Sequence, residues 1–152
     1  MNRQHSRAGV RVGTFAVGRD EEDWLVLNAR AFADHAEQGR MTRTDLEDRI
    51  AEPWFDPEVF WLARDLSDGR LLGAMWLKIE GGVGEIYVLG VDPDARGRGL
   101  GALLTARAMA AFAQRDLELL ELYVEGENTV AIRTYRRAGF VKTRADVQYA
   151  RR

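Results

Sequence analysis

The 152-residue sequence contains no cysteine. Disulfide bridges, thiolate nucleophiles and thiolate metal ligands are therefore excluded. Histidine is scarce, with only His5 and His35, which leaves little from which to build a zinc site. Serine is equally scarce. Ser6 lies in the polar N-terminal stretch, and Ser67 lies in the turn-like string Asp65-Leu66-Ser67-Asp68-Gly69. A Ser-His-Asp hydrolase has no suitable nucleophile among them. Arginine or glycine interrupts the longest apolar stretches, so neither a signal peptide nor a membrane span is expected, and a cytoplasmic location is the default. Charge of one sign is also missing. The net charge of −2 argues against nucleic acid as the main partner.

What remains is an ordinary globular composition, 46% apolar and 30% charged. The length suffices for one domain with a real core. Residues 1–9 are polar and read as a disordered tail, and residues 10–152 read as a single domain without repeats or linkers. Residues 10–17 form an expected first strand. Residues 20–35 carry Trp24, Leu27 and Ala31 at helical spacing behind an acidic first turn. A second helix is expected over 44–51, with Thr44 and Glu47 as a capping box and Pro53 as its stop. Segments 58–64 and 70–79 read as an antiparallel pair around the Ser67-Asp68-Gly69 turn. Gly81-Gly82 mark another turn, followed by a strand over 84–91. A long helix over 100–114, a strand over 118–124, a helix over 128–138 stopped by Gly139, and one or two strands over 140–150 complete the series.

The most informative stretch is Leu89-Gly90-Val91-Asp92-Pro93-Asp94-Ala95-Arg96-Gly97-Arg98-Gly99-Leu100-Gly101. A strand runs into a glycine-rich basic turn, and the turn opens a long helix. The first N–H groups of a helix lack intrahelical partners, and with the helix dipole they attract an anion, most often a phosphate. Gly97, Gly99 and Gly101 allow close backbone approach, and Arg96 and Arg98 can add charge-assisted bonds. The alternative is a plain tight turn with solvated arginines. A nucleotide P-loop is excluded, because no Lys-Ser or Lys-Thr follows the last glycine. The dinucleotide fingerprint fits poorly, because the glycine spacing differs and Asp92 and Asp94 precede the turn.

The later helix places Asn128, Ala131, Ile132 and Tyr135 on one face. On their own, Asn128 reads equally well as an N-cap and Tyr135 as a half-buried aromatic.

In combination, these features resemble a known family. Arg96, Gly99 and Gly101 match the Arg/Gln-x-x-Gly-x-Gly/Ala signature of the GNAT acetyltransferases. The segment Asn128-Thr129-Val130-Ala131-Ile132-Arg133-Thr134-Tyr135, followed by Ala138-Gly139-Phe140, is similar to that superfamily's second CoA-binding motif. Longer strings resemble the C-terminal domain of the mycothiol synthase family. They include Glu52-Pro53-Trp54-Phe55-Asp56-Pro57, Leu122-Tyr123-Val124-Glu125 and the run Gly84-Glu85-Ile86-Tyr87-Val88-Leu89-Gly90-Val91-Asp92-Pro93. The resemblance covers all but the tail before about Val10.

That resemblance implies an α+β (mixed α/β) chain with the GNAT acyl-CoA N-acyltransferase fold. Its centre would be a mostly antiparallel sheet of about six to seven strands flanked by about four helices. It implies acetyl-CoA as co-substrate, no metal, and a small primary amine as acceptor, with a cysteinyl-glucosaminyl-inositol leading. The cofactor would lie on Leu89, Gly90 and Val91, on the turn Arg96, Gly97, Arg98, Gly99, Leu100 and Gly101, and on Asn128 and Ala131. Glu85 matches the family's proposed general base and Tyr135 its proposed general acid, although read without the resemblance Glu85 is a strand-end carboxylate facing solvent. The chemistry suits these types: a buried carboxylate can take the amine's proton, and a protonated phenol can give one to the leaving thiolate. Glu125 and Glu127, at the strand end near the expected cleft, are weaker candidates for binding a cationic acceptor; a solvated loop that favours the next helix start is the stronger reading of them. His35, Glu37, Gln38, Trp54 and Phe55 are further candidates for the acceptor side.

The mycothiol synthases have two tandem acetyltransferase-like domains, and this chain has room for one. A fragment, a homodimer that rebuilds the missing wall, and an enzyme with another amine substrate (an amino sugar, a polyamine or a peptide N-terminus) all stay open. So does a CoA-binding module without catalysis.

Overall fold

A computed structural model describes residues 9–122, 140–144 and 148–151. Strand β1 (Val10–Thr14) is followed by helices α1 (Glu21–Ala31), α2 (Ala36–Gly39) and α3 (Arg43–Ile50). Strands β2 (Phe60–Asp65), β3 (Leu71–Glu80) and β4 (Val83–Val91) come next, then helix α4 (Leu100–Ala113) and strands β5 (Leu119–Leu122), β6 (Phe140–Arg144) and β7 (Gln148–Arg151). The strands form one sheet in the order β1-β2-β3-β4-β5-β7-β6. Every pairing is antiparallel except that of β4 with β5. This is the mixed, mostly antiparallel architecture expected from sequence.

The centre of the sheet is buried on both faces, which is why β3 reads as an unbroken apolar run rather than an alternation. Alternate residues serve different layers. Met75 and Leu77 join Leu100, Leu104, Ala108 and Phe112 of α4 in a largely aliphatic cluster. Ala74 and Trp76 join Trp24 and Leu27 of α1, Leu46 of α3 and Phe60 in an aromatic cluster on the opposite face. Trp76 is fully buried, with Phe60 stacked on it at 4.5 Å and Trp24 edge-on at 5.4 Å. Burying each large side chain of this kind contributes on the order of 2 kcal/mol. Gly84 admits the α4 layer: a Cβ there would come within 2.6 Å of the Phe112 ring, so this strand position accepts no side chain without displacing the ring.

Several boundaries differ from the sequence expectations. β1 ends at Thr14, three residues short of Val17: Phe15 N–H still donates to Phe60 O at 2.8 Å, but the N–H groups of Ala16 and Gly18 are taken by side chains. Ala16 N–H donates to Asp20 at 2.7 Å and Gly18 N–H to Glu21 at 2.7 Å. α1 stops at Ala31, not His35, and residues 36–39 form a separate helical turn. The buried Asn28 amide holds that turn, donating to Gln38 O at 2.6 Å and accepting from Gln38 Nε2 at 2.8 Å. The capping box is Thr42 with Asp45, not Thr44 with Glu47. Asp45 N–H donates to Thr42 Oγ1 at 3.1 Å, and Thr42 N–H donates to the Asp45 carboxylate at 3.0 Å. Aspartate is long enough to close the box, and Glu47 instead pairs with Arg43. The helix expected over 128–138 lies outside the described residues. Among the described residues no helix is long and apolar enough to cross a membrane.

Candidate active site

The site is organised by β4. Gly81 and Gly82, with φ of 60° and 79°, close the two-residue turn from β3 and fix the register of the hairpin. Glu80 then faces Val83, and Lys78 faces Glu85. On its other side, β4 pairs with β5 over Val83 to Ile86, which places Glu121 opposite Glu85. Beyond Ile86 the pairing changes. Among the described residues, the second half of β4 is bonded only to β3, so its other edge presents main-chain groups not engaged there.

A β-bulge separates the two halves. Leu77 pairs with Ile86 but Trp76 pairs with Val88, so Tyr87 is the extra residue. The bulge resets the alternation. Before it, Ile86 faces the α4 layer; after it, Leu89 and Val91 do. Tyr87 and Val88 both turn to the aromatic face. Period-two alternation therefore puts Glu85 on the same face as Tyr87, beside α1 and α3.

Glu85 is half-buried, and burial pushes its carboxyl above the ordinary glutamate range. Lys78 opposes that rise and Glu121 adds to it. A carboxyl poised in this way is a better proton acceptor near neutrality than an ordinary surface glutamate. The Lys78 ammonium is held over the Trp54 ring at 5.2 Å. Trp54 packs on Tyr87 at 5.0 Å, and Arg49 Nε donates to the Tyr87 hydroxyl at 2.7 Å. Lys78, Tyr87, Arg49 and Glu121 were not singled out from the sequence. Lys78 was legible there, since counting back from the Gly81-Gly82 turn places it opposite Glu85. The contact of Arg49 with Tyr87 spans 38 residues and had no local signal.

At the other end of β4, Pro93 to Ala95 form a 3-10 turn, and the chain enters α4 through Gly99. Gly97 and Gly99 have φ of 88° and 77°, a left-handed conformation that other residues adopt only with strain. Gly101 has no such need: it lies in the first turn of α4, and a Cβ on it would meet nothing within 4 Å. Alanine there would favour the helix by about 1 kcal/mol. The space over all three glycines is open. No contact within the described residues accounts for Gly101. Gly99, the N-cap, offers no side-chain cap, so the first N–H groups of α4 are left for water or an anion. This donor set fits the diphosphate of a CoA carrier.

The remaining predicted residues divide clearly. Arg96 is exposed beside the turn, 3.5 Å from the carbonyl of Ala31. Arg98 instead reaches Asp65 at 3.3 Å. Leu100 is buried in the α4 layer, so only its main chain can face a ligand. Gly90 sits under Ala31 and Phe32, each 3.3 Å from where its Cβ would be. Gln38 is engaged by Asn28, and Phe55 packs on Phe60 and Trp76. His35 stacks edge-on to Phe32. The side chain of Glu37, with Glu125, Glu127, Asn128, Ala131 and Tyr135, lies outside what the structure describes.

Comparison with known proteins decides the family. Residues 23–140 match the acetyltransferase (GNAT) family model. The chain belongs to the GNAT acetyltransferase family. It is 56% identical over 144 residues to a mycothiol acetyltransferase of Clavibacter michiganensis subsp. michiganensis, covering 95% of this chain and 46% of that protein. The chain thus spans about half the length of the curated relatives it matches. Among solved structures, a GCN5-related N-acetyltransferase from Sphaerobacter thermophilus superposes with a TM-score of 0.71 at 29% identity, over 93% of this chain and 43% of that one. A GNAT family acetyltransferase from Brucella melitensis, crystallised in complex with acetyl-CoA, shares the fold at TM-score 0.65 and 18% identity, over 88% of this chain and 83% of that one.

Proposed function

We propose that this GNAT chain transfers the acetyl group of acetyl-CoA to the primary amine of a small molecule. The observation that carries the proposal is the layout of β4. One strand bears a half-buried carboxyl at Glu85, then a main-chain edge at Leu89 to Val91, then the open glycine turn. The diphosphate of acetyl-CoA rests on the main-chain N–H groups of residues 97–101, with Arg96 beside it. The pantetheine arm runs along the main chain of Leu89, Gly90 and Val91, which aims the thioester toward the bulge. Glu85 accepts the proton of the attacking ammonium, directly or through water. The amine then attacks the thioester carbonyl, and CoA leaves as the thiol after receiving a proton. Tyr135 is assigned that donation, and Asn128 and Ala131 a share of cofactor binding, on motif resemblance alone. No enzyme-bound acyl intermediate is needed. Holding two substrates in line can lower the barrier by roughly 7 kcal/mol or more.

We further propose a cysteinyl-glucosaminyl-inositol as the acceptor. The support is the identity to proteins named mycothiol acetyltransferases together with the string resemblance. The half-exposed Trp54 and Lys78 beside Glu85 line the face it would approach. Formation of free CoA from acetyl-CoA, separated from the thiol-bearing acceptor and quantified by chromatography, tests both levels. Turnover with the cysteinyl amine is expected. Turnover only with other amines would overturn the acceptor. Acetyl-CoA binding with no turnover on any amine would overturn the enzymatic reading.

A further inference from the structure

Between the two functional ends of β4 and α4 lies a joint, residues 92–95. Asp92 is its only acidic side chain that is buried, with 2% exposure. Four donors converge on its carboxylate. Arg30 of α1 donates from Nε at 2.8 Å and from Nη2 at 3.0 Å, a bidentate pair. Arg70, just before β3, donates from Nη2 at 3.0 Å. The N–H of Asp94 donates at 2.9 Å. Arg30 also bonds Asp94 at 3.0 Å. The main chain of Asp92 is fixed as well, its N–H donating to Leu72 O and its carbonyl accepting from Ala95.

We infer that Asp92, Arg30 and Arg70 form a clamp that sets the angle at which the 97–101 turn meets a CoA diphosphate, and so act as positioning residues for acyl-CoA binding. This rests on the proposed acetyl-CoA site. The reason is geometric. The turn contributes main-chain N–H groups, whose directions follow the backbone and cannot be adjusted by rotamer changes. Residues 97–99 are exposed, and two of their three members are glycines without stiffening side chains. The joint before them, α4 after them and the Arg98–Asp65 ion pair hold their direction. A clamp joining that joint to α1 and β3 organises the cradle before the ligand arrives, which lowers the ordering cost of binding. Charge-assisted, bidentate bonds to a buried carboxylate are the strong kind.

The same face supplies a control. Arg64 pairs with the buried Asp20 at 3.1 Å and with Asp23 at 3.1 Å. Arg64, Arg30 and Arg70 line one cleft of about 230 Å³, but Asp20 precedes α1 and does not touch the turn. The two Arg–Asp groups are chemically alike and differ in what they hold.

The test is calorimetric titration of acetyl-CoA into the wild type and four variants, with steady-state kinetics and melting temperatures. Arg30→Met, which truncates a half-exposed side chain, is expected to raise the acetyl-CoA Kd and KM about tenfold while kcat at saturation stays within about twofold. Arg30→Lys restores charge without the fork and should fall between. Arg70→Met should weaken binding less. Arg64→Met should lower the melting temperature and leave Kd unchanged. If Arg30→Met and Arg70→Met lose thermal stability but bind acetyl-CoA as the wild type does, the clamp is structural only and the inference is wrong. If the wild type itself does not bind acetyl-CoA, the parent reading fails first.

Discussion

The two halves of β4 use the same backbone for opposite purposes. From Val83 to Ile86 the strand is bonded on both sides, and what it offers is a side chain, Glu85, set between Lys78 and Glu121. From Tyr87 onward the described pairing is one-sided, and what it offers is main chain, continued by the N–H groups of the glycine turn. The bulge at Tyr87 makes the division possible, because it turns the second half over without breaking the sheet. Rigid pairing suits a residue whose pKa must be tuned by fixed neighbours. An open edge suits a ligand that must be gripped along its length.

If the division is right, substitutions at the two ends should separate chemistry from binding. Glu85→Gln carries the largest expected effect, a drop in turnover of about 10²- to 10⁴-fold, with acetyl-CoA affinity unchanged by calorimetry. An equal loss of affinity would join the two halves again. Gly99→Asp should do the reverse. It forces an L-residue to φ of 77° and puts a carboxylate where the diphosphate is to lie, so acetyl-CoA binding should weaken by at least about tenfold.

The pH profile sharpens the comparison. Glu85 must be ionised to act as a base, and burial raises its pKa. The acid limb of the rate profile should therefore lie above that of an ordinary carboxylate. Lys78 favours the ionised form, so Lys78→Met should move the limb to higher pH. Glu121→Gln should move it to lower pH. A limb that ignores both substitutions would belong to another group.

The smallest effect concerns the joint. The guanidinium of Arg30 holds Asp92 down at about 2. A depressed carboxyl stabilises the fold fully above its unfolded pKa, and that stability is lost as pH falls through the folded value. Wild-type stability should thus decline between about pH 5 and pH 2 partly through Asp92. Denaturant midpoints of Arg30→Met should fall less steeply over that window, with the deficit greatest at neutral pH.

Much of this layout was legible in the sequence because it is local. Gly81-Gly82 fixes a hairpin register, and Gly97-Arg98-Gly99 can only be a turn before the apolar spacing of Leu100, Leu104 and Ala108. The resemblance supplied Glu85 a role that its neighbours alone could not. What the sequence concealed is tertiary. No periodicity announces that Asn28 would capture Gln38 and break one helix into two, or that Arg30 would reach Asp92 across 62 residues. The bulge at Tyr87 was equally hidden, since nothing distinguishes an extra residue from the next one in an apolar strand. Thr42 rather than Thr44 caps α3 because the preceding chain arrives extended at Thr42, a fact of the loop and not of the helix.

The most direct measurement is a crystal structure of the chain grown with acetyl-CoA. The account predicts diphosphate oxygens about 2.7–3.2 Å from main-chain nitrogens of residues 97–101 and the pantetheine arm along Leu89 to Val91. Acetyl-CoA bound elsewhere, with the glycine turn carrying only solvent, would contradict it.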